Sequence, residues 1–349
     1  MSGVVGRFLT GSEESSFSIP GTLGDETQIL AIDTGDLSDL LFHVPLLQAV
    51  RARFPKARID ILTPEEHVSL IQPSGLVRDC LVYNDKQLRT WSPGYISLAR
   101  SVRKVDYDLS IVMSFDPHAA LEGVGLASGA GLRLGPSHDQ AFPAVNFELR
   151  TGDAEHCYRG GRMSGAAPFL GLPDFEDLRG WPLPAEKLRR TQQLVHFNKP
   201  RQEDLLVGVD PSLGKSGSGL SLQNLHFLLK QLGSQLPCRA LPLTVSQDTD
   251  RLHQFEAGLD HKPLDLSRDS MFDTILLMAQ CDIFIAGNTD LFHYAAAQGV
   301  PTLGFFVEAD AASWEPVSYD NVRILRIAEG KRVDVDVLMA AVKDIRGSR

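Results

Sequence analysis

Short apolar runs alternate with amphipathic stretches along most of the chain, and this alternation predicts strands that alternate with helices. An apolar run of about five residues between turn residues is typical of a strand that is buried on both faces. Apolar positions three and four residues apart predict helices. In the first half, the predicted strands are residues 28–32, 58–63, 78–83, 107–113 and 132–135. The predicted helices there are residues 40–54, 65–72, 91–105 and 119–128.

The same alternation restarts near residue 205, after an irregular, proline-containing connection over residues 136–185, within which residues 155–170 suggest a helix. The strands predicted in this half are residues 205–209, 239–243, 283–286 and 302–306. The helices predicted there are residues 222–232, 248–256, 271–280, 291–298 and 335–345. Alternating strands and helices form parallel sheets that are covered on both faces. The chain is therefore predicted to be an α/β protein with two such domains.

The predicted domain limits follow the two runs of alternation. Residues 1–26 are rich in Ser, Gly and Glu and are predicted to be a mobile tail. Residues 27–180 form the first predicted domain and residues 181–332 the second. Residues 333–349 are predicted to carry a C-terminal helix.

One stretch, residues 282–306, has the pattern of strand, tight turn, short helix and strand. Thr289 and Asp290 suit the first positions of the helix, and Gly299 suits the position just past its end. A strand that leads into a helix N-terminus places free backbone N–H groups at the carboxyl edge of a parallel sheet. Nucleotide phosphates commonly bind there. This stretch is therefore the predicted ligand site.

Composition and charge exclude several other classes of protein. A hydrophobic content of 43% and a charged content of 22% are ordinary for a globular chain of 349 residues. The net charge of −10 gives no overall attraction to nucleic acid or to an anionic membrane. No apolar run approaches the ~18 residues of a transmembrane helix, and no apolar signal core begins the chain. Four scattered cysteines predict reduced thiols: Cys80, Cys157, Cys238 and Cys281.

The loop after the strand at residues 205–209 is rich in Gly and Ser and contains Lys215. It partly matches a phosphate-binding P-loop, but six positions separate Gly208 from Gly214, where that motif requires five. A nucleoside triphosphatase is therefore not predicted. The histidines show no metal-ligand spacing and no carboxylate cluster stands out, so no metal site is predicted either.

Residues 282–306 resemble the nucleotide-sugar site of the ADP-heptose:lipopolysaccharide heptosyltransferases, glycosyltransferase family 9. That family has a strand, Asp-Ser/Thr-Gly-x-x-His, an Ala-rich helix and Gly-Val-Pro. The matching positions are Thr289, His293, Ala295, Ala296, Gly299, Val300 and Pro301. Further segments that resemble the family follow in the same order over most of the chain: residues 29–83, 107–135, 264–281 and 314–322.

The resemblance implies a GT-B fold, with two doubly wound Rossmann-like domains facing each other across a cleft. It implies an inverting, metal-independent glycosyltransferase that needs no cofactor besides its nucleotide-sugar co-substrate. The donor would be ADP-heptose by analogy, and the acceptor the lipopolysaccharide core or another envelope glycan or lipid-linked sugar. Cytoplasmic localisation, with transient contact at the inner membrane, follows from these substrates. A nucleotide-sugar epimerase shares this architecture, but no paired acid and base support that alternative.

The resemblance also implies roles for individual residues. Asp39 would be the base that takes the proton of the acceptor hydroxyl, although an acidic residue in the first turn of a helix equally suits a purely structural role. Arg133 and Ser38 would contact the acceptor. The predicted donor-binding residues are Ser212, Lys215, Asn288, Thr289, Asp290 and His293. For Lys215 and His293, an exposed loop lysine and a packed histidine are the structural alternatives.

Three positions depart from the family pattern: Ser38 and Asp290 each replace a glycine, and Asn288 replaces an aspartate. A carboxylate at position 290 would repel a donor phosphate. Two like charges 4 Å apart cost about 1 kcal/mol in water and about 4 kcal/mol at an effective dielectric constant of 20. Asp290 therefore points away, or the donor binds differently, or the site is degenerate. The last case predicts a catalytically inactive GT-B protein that serves as a binding or scaffolding module.

Overall fold

A computed structural model describes residues 23–24, 26–149, 158–160, 171, 180–215, 221–245, 249–307, 314–316, 319–327 and 334–347. The chain divides into two compact units. The first comprises Met1–Asp153 and Arg159–Leu178, and the second comprises Ala154–Tyr158 and Arg179–Arg349. Nearly all of the predicted tail, residues 1–26, lies outside the described residues. The predicted domain limits stay a prediction.

The first unit is built on a six-stranded parallel sheet of order β3-β2-β1-β4-β5-β6. Its strands are β1 (Gln28–Asp33), β2 (Arg58–Pro64), β3 (Asp79–Tyr83), β4 (Leu109–Met113), β5 (Leu132–Pro136) and β6 (Phe147–Leu149). Its helices are α1 (Leu37–Phe42), α2 (Val44–Arg53), α3 (Glu65–Ile71), α4 (Pro93–Arg103) and α5 (Ala119–Ala127). The first strand lies in the middle of the sheet, so the strand order reverses beside β1, where α/β sheets commonly bind ligands.

The second unit is built on a five-stranded parallel sheet of order β11-β10-β9-β7-β8. Its strands are β7 (Leu205–Val209), β8 (Cys238–Pro242), β9 (Ile283–Ala286), β10 (Thr302–Phe306) and β11 (Val322–Arg326). Its helices are α6 (Ala185–Asn198), α7 (Leu222–Gln235), α8 (Thr249–Ala257), α9 (Met271–Met278), α10 (Asp290–Ala297) and α11 (Val335–Gly347). The strand order reverses between β7 and β9, so the loops that follow these two strands lie side by side.

The prediction of one continuous helix over residues 40–54 is wrong. Residues 40–54 were expected to form a single helix, whereas the chain forms α1 and α2 with a break at His43. Pro45 lies in the first turn of α2, where a missing N–H group costs nothing. Apolar positions continue with helical spacing through the break, and for that reason the pattern did not reveal it. The strands β6 and β11 and the helix α6 were not predicted.

The helix α10 packs closely against β10, and Gly304 makes this approach possible. A Cβ atom at position 304 would lie 2.6 Å from Cε2 of Phe292, a residue of α10. Phe292 itself is fully buried and packs edge-on against Phe306. The position of α10, and with it the N-terminus of this helix, therefore depends on a glycine in the neighbouring strand.

We expect Gly304→Ala to destabilise the protein by about 1–3 kcal/mol, because an added methyl group in a packed core forces side chains and backbone to shift. Urea unfolding followed by circular dichroism measures the change. Gly233→Ala is the matched control, since the nearest atom to its Cβ would be Sγ of Cys238 at 3.8 Å. That helical substitution is expected to stabilise the protein by up to about 1 kcal/mol. An unchanged unfolding midpoint for Gly304→Ala would contradict the packing described.

Among the described residues, no helix has the length and apolar character needed to cross a membrane.

Candidate functional site

The predicted donor residues lie at the carboxyl edge of the second sheet. Asn288 and Thr289 follow β9, and α10 begins at Asp290. Thr289 is the N-cap of α10, and its hydroxyl accepts a hydrogen bond from the Phe292 N–H (3.4 Å). Gly299 follows the last turn with a φ of 74°, the left-handed conformation expected of a glycine in that place. The helix therefore begins and ends at the residues that the sequence pattern indicated.

Lys215, from the loop after β7, reaches the N-terminus of α10. Its backbone N–H donates to the carbonyl oxygen of Asn288 (2.8 Å). Its Nζ lies 2.8 Å from Oδ1 of Asp290 and 4.9 Å from the ring centroid of Trp314. The side chains of Lys215 and Asp290 are 18% and 28% exposed, respectively. Two of the predicted donor residues thus form an ion pair, in which the carboxylate compensates the charge of the lysine.

Asp210 and Ser212 lie in the same loop, beside Thr289. The carboxylate of Asp210 accepts hydrogen bonds from the Ser212 N–H (3.0 Å) and from the Thr289 side chain. Ser212 Oγ lies 2.7 Å from Oγ1 of Thr244. Burial raises the pKa of Asp210 against the lowering effect of the hydrogen bonds from Ser212 and Thr289, and the charge of Asp290 adds a smaller rise. Asp210 was not predicted as a site residue, because nothing in the sequence indicates that it would lie beside Thr289.

His293 is packed against aromatic side chains and is hydrogen-bonded to Asn288. Its Nε2 lies 3.0 Å from Oδ1 of Asn288, so the imidazole donates to the amide oxygen. The rings of Tyr158 and Trp314 lie 6.0 and 5.4 Å from the histidine ring. His293 and Asn288 are buried, and Nδ2 of Asn288 has no hydrogen-bond partner among the described residues. An asparagine at this position therefore adds a buried donor group that the aspartate of the family lacks.

In the first unit, Asp39 lies in the first turn of α1, at the carboxyl edge of the sheet. Asp36 caps this helix by accepting from the Asp39 N–H (2.9 Å). Oδ2 of Asp39 accepts from Oγ of Ser114 (3.2 Å), a residue that directly follows β4. Oδ1 lies 3.7 Å from Nη2 of Arg159, whose positive charge stabilises the carboxylate. The side chain of Asp39 is only 3% exposed.

Arg159 joins Asp39 to a second carboxylate. Its Nη2 lies 2.7 Å from Oδ2 of Asp116, and its guanidinium lies over the ring of Phe115. Sequence reasoning missed Arg159 and Tyr158, which fall in the connection predicted to be irregular. Both lie within residues 155–170, where the sequence suggests a helix, but nothing there marked them as site residues. Most of that predicted helix lies outside the described residues.

The two predicted acceptor residues have structural roles in the first unit. Nη1 of Arg133 donates to the carbonyl of Ala130 (2.6 Å), and Nη2 donates to the carbonyl of Pro143 (2.9 Å). Burial lowers the pKa of Arg133. Ser38 is a residue of α1 and is fully buried. An acceptor contact for Arg133 or Ser38 stays a prediction, and these contacts do not favour it.

His43 lies next to Asp39 and is fully buried. Its Nδ1 donates to the backbone carbonyl of Asp39 (2.6 Å), and its Nε2 has no hydrogen-bond partner among the described residues. Burial lowers the pKa of His43 from 6.5 to about 4, against the opposing effects of the Asp39 carbonyl and the charge of Asp33. The positive charge of Arg159 lowers it further. The imidazole is therefore neutral at neutral pH.

This low pKa predicts a loss of stability in acid. Because the unfolded chain binds a proton near pH 6.5 and the folded chain only near pH 4, stability falls as the pH falls through this window. We expect His43 to contribute about 3 kcal/mol to the difference in unfolding free energy between pH 7.5 and pH 4. His43→Gln should reduce that difference in urea unfolding, whereas the exposed control His196→Gln should not. Equal pH dependence in wild type and His43→Gln would rule out this role.

Within the part of the chain that the structure describes, no group of three or more His, Cys, Asp or Glu side chains is placed to hold a metal ion.

No protein-family model matches the chain. A Haemophilus influenzae protein described as a "Putative glycosyltransferase" is 21% identical over 308 residues, which cover 83% of this chain and 86% of that protein.

Several solved structures are similar to most of the chain. A glycosyl transferase family 9 protein from Veillonella parvula has a TM-score of 0.74 at 15% identity, over 93% of this chain and 98% of that one. The E. coli ADP-heptose LPS heptosyltransferase II has a TM-score of 0.72 at 17% identity, over 92% and 98%. The E. coli heptosyltransferase WaaC with ADP-2-deoxy-2-fluoro heptose has a TM-score of 0.68 at 14% identity, over 91% and 99%.

These similarities confirm two of the predictions made from the sequence. The predicted resemblance to the heptosyltransferases is confirmed, because structures of that family match 91–93% of this chain. The predicted fold class is confirmed by the same structures and by the two parallel sheets. The chain therefore has the two-domain GT-B fold of the glycosyltransferase family 9 heptosyltransferases, the family that its sequence resembles.

Proposed function

We propose that this protein is an inverting glycosyltransferase that binds a nucleotide-sugar donor at the carboxyl edge of its second sheet. The observation that carries the proposal is the convergence of the predicted donor residues, from two separate loops, on the N-terminus of α10. The described relatives support it, since they are glycosyltransferases. One E. coli structure is named for ADP-heptose, and the other contains ADP-2-deoxy-2-fluoro heptose. By analogy, ADP-heptose is the proposed donor of this protein.

The donor diphosphate would lie against the backbone N–H groups at the start of α10, where the helix dipole favours an anion. Lys215 would stabilise the charge that develops on the departing diphosphate. Because Lys215 now contacts Asp290, the lysine would exchange that carboxylate for phosphate oxygens when the donor binds. Asn288 would offer its Nδ2 donor to the ligand. The proposed chemistry needs no metal ion and no further cofactor.

On the acceptor side, Asp39 would take the proton of the attacking hydroxyl. The hydroxyl oxygen would bond to the anomeric carbon from the face opposite the nucleoside diphosphate, which leaves with its bonding electrons, so that the glycosidic bond forms with inversion. Its carboxylate is held by the hydrogen bond from Ser114 and lies 3.7 Å from Nη2 of Arg159, so its position is set by neighbouring residues of the same unit. The acceptor would be the lipopolysaccharide core or another envelope glycan, and the protein would act in the cytoplasm with transient contact at the inner membrane.

Calorimetric titration with ADP, UDP, GDP and ADP-heptose tests the donor site. Micromolar binding of one nucleotide, weakened by at least about tenfold in Lys215→Gln, is the expected result. Lys187→Gln, an exposed substitution on α6, is the control and should bind as wild type does. Equal binding by Lys215→Gln and wild type would contradict the proposed role of the lysine. Radiolabelled transfer from ADP-heptose to a heptose-deficient lipopolysaccharide core then tests the reaction itself.

A further inference from the structure

The second unit contains a cavity that the proposed reaction does not use. It has a volume of about 590 Å³ and lies between α7, the start of β8 and residues 258–261. Pockets of 300–1,000 Å³ are the usual size for small-molecule ligands. We call it the β8 cavity.

The β8 cavity and the proposed donor site lie at opposite edges of the sheet. The donor residues follow the carboxyl ends of β7 and β9, whereas the cavity is lined by Arg201, which precedes β7, and by Pro237 and Cys238 at the start of β8. These strands run parallel, and a strand of five residues spans roughly 16 Å. A ligand in the cavity would therefore not occupy the donor site.

Two arginines of the β8 cavity are held together by one buried carboxylate. Asp204 is completely buried, and its oxygens lie 3.2 Å from Nε of Arg201 and 3.8 Å from Nη2 of Arg239. Arg239 is further fixed by donating from Nη1 to the carbonyl of Lys262 (3.2 Å). Both contacts with Asp204 are ion pairs without a hydrogen bond among the described residues, and Arg201 is 62% exposed, so the carboxylate draws the two guanidinium groups to one place while only Arg239 is further fixed. Arginine binds phosphate well, because its planar guanidinium group can donate hydrogen bonds to two phosphate oxygens at once.

A third cation, Lys230, lines the same cavity and has only a loose partner. Its Nζ lies 3.6 Å from Oδ2 of Asp260, and both side chains are more than 60% exposed. Exposed pairs of this kind contribute little and reorganise easily. The three cations and two carboxylates leave a formal charge of +1 around the cavity, in a chain with a net charge of −10.

Part of the remaining wall of the β8 cavity is apolar. Phe227 and Leu259 contribute side chains to it. His226 lies parallel to the ring of Phe255, with ring centroids 5.3 Å apart, and its Nε2 donates to the Phe255 carbonyl (2.8 Å). A cationic end beside an apolar wall suits a ligand that carries an anionic group on an apolar body.

We propose that the β8 cavity binds a small phosphate-bearing organic molecule. Its phosphate would contact Arg201, Arg239 and Lys230, and its apolar part would lie against Phe227 and Leu259. This is a second ligand site on the same domain, and it is independent of the sugar-transfer reaction.

Filling the cavity tests the proposal without removing a charge. Gly233 lines it from the exposed side of α7, so Gly233→Phe places a ring in it while preserving the ion pairs. Gly233→Ala is the matched control. Titrated with ADP, the control should show two sites. Gly233→Phe should show only the donor site, because the affinity of the β8 cavity for ADP is expected to fall by at least about tenfold. Identical isotherms for the two variants would overturn the proposal.

A chemical probe inside the cavity distinguishes the two sites directly. Cys238 lines the β8 cavity, and Cys80 in the first unit is a similarly half-buried thiol. Saturating ADP should slow iodoacetamide labelling of Cys238 several-fold and leave Cys80 unchanged, as measured by peptide mass spectrometry. The protection should persist in Lys215→Gln and disappear in Gly233→Phe. Unprotected Cys238, or equal protection by inorganic pyrophosphate alone, would contradict a site for an organic phosphate.

Discussion

Asp39→Asn is expected to lower the rate of sugar transfer by about 10²- to 10⁴-fold, the usual contribution of a general base. The substitution keeps the shape of the side chain but removes the group that receives the hydroxyl proton. Donor affinity should not change, because Asp39 belongs to the first unit and the proposed donor residues belong to the second. Initial rates of transfer, together with calorimetric titration of the donor, separate these two effects.

Asp116→Asn is the matched control for this prediction. Asp116 contacts the same arginine as Asp39 but is 75% exposed, so its loss should change the transfer rate only a few-fold. The control also tests whether a disturbed Arg159, rather than a missing base, explains the loss in Asp39→Asn. If Asp39→Asn keeps most of its activity, Asp39 is only the acidic residue in the first turn of α1. If both variants lose activity equally, the arginine is the essential group.

Asp290→Asn is expected to strengthen donor binding by about tenfold to a thousandfold. The upper limit corresponds to a repulsion energy of ~4 kcal/mol between two like charges 4 Å apart at an effective dielectric constant of 20. The lower value follows because both members of the Lys215–Asp290 pair are partly exposed, and solvent weakens their interaction. The substitution removes a carboxylate from the helix N-terminus and releases the lysine for the phosphate. Calorimetry with ADP measures the gain.

A double-mutant cycle with Lys215→Gln shows how Asp290 acts. The short distance between the two side chains indicates that Asp290 mainly competes with the phosphate for the lysine. The gain from Asp290→Asn should therefore be much smaller when position 215 is already Gln. An equal gain in both backgrounds would mean that Asp290 repels the phosphate directly and does not act through the lysine.

The same titrations test the alternative of a catalytically degenerate protein. If wild type binds no nucleotide and Asp290→Asn does, the carboxylate blocks the donor site, and a binding or scaffolding role becomes the better account. If neither protein binds a nucleotide, the edge near α10 is not a donor pocket. Nucleotide binding by wild type that Lys215→Gln weakens leaves the transferase proposal in place, because the β8 cavity does not involve Lys215.

Much of the architecture was predictable because its signals are local. Buried parallel strands appear as short apolar runs, and helix ends carry their own capping residues, so residues 283–306 were predicted almost as they are. Thr289 caps α10 and Gly299 adopts a left-handed conformation, as their positions in the sequence indicated. The break at His43 escaped prediction because apolar spacing continues across it, and β6 escaped because a strand of three residues carries too weak a pattern.

The sequence by itself determined the fold class, the position of the helix near residue 290 and the residue types available to a donor. Only the tertiary structure decided which of those residues meet. Lys215 lies in the loop after β7 and Asp290 starts the helix after β9, and the two pair because β7 and β9 are neighbours in the sheet. Arg159 contacts Asp39 although the two lie far apart along the chain. Such contacts depend on strand order and packing, which no local pattern of residues encodes.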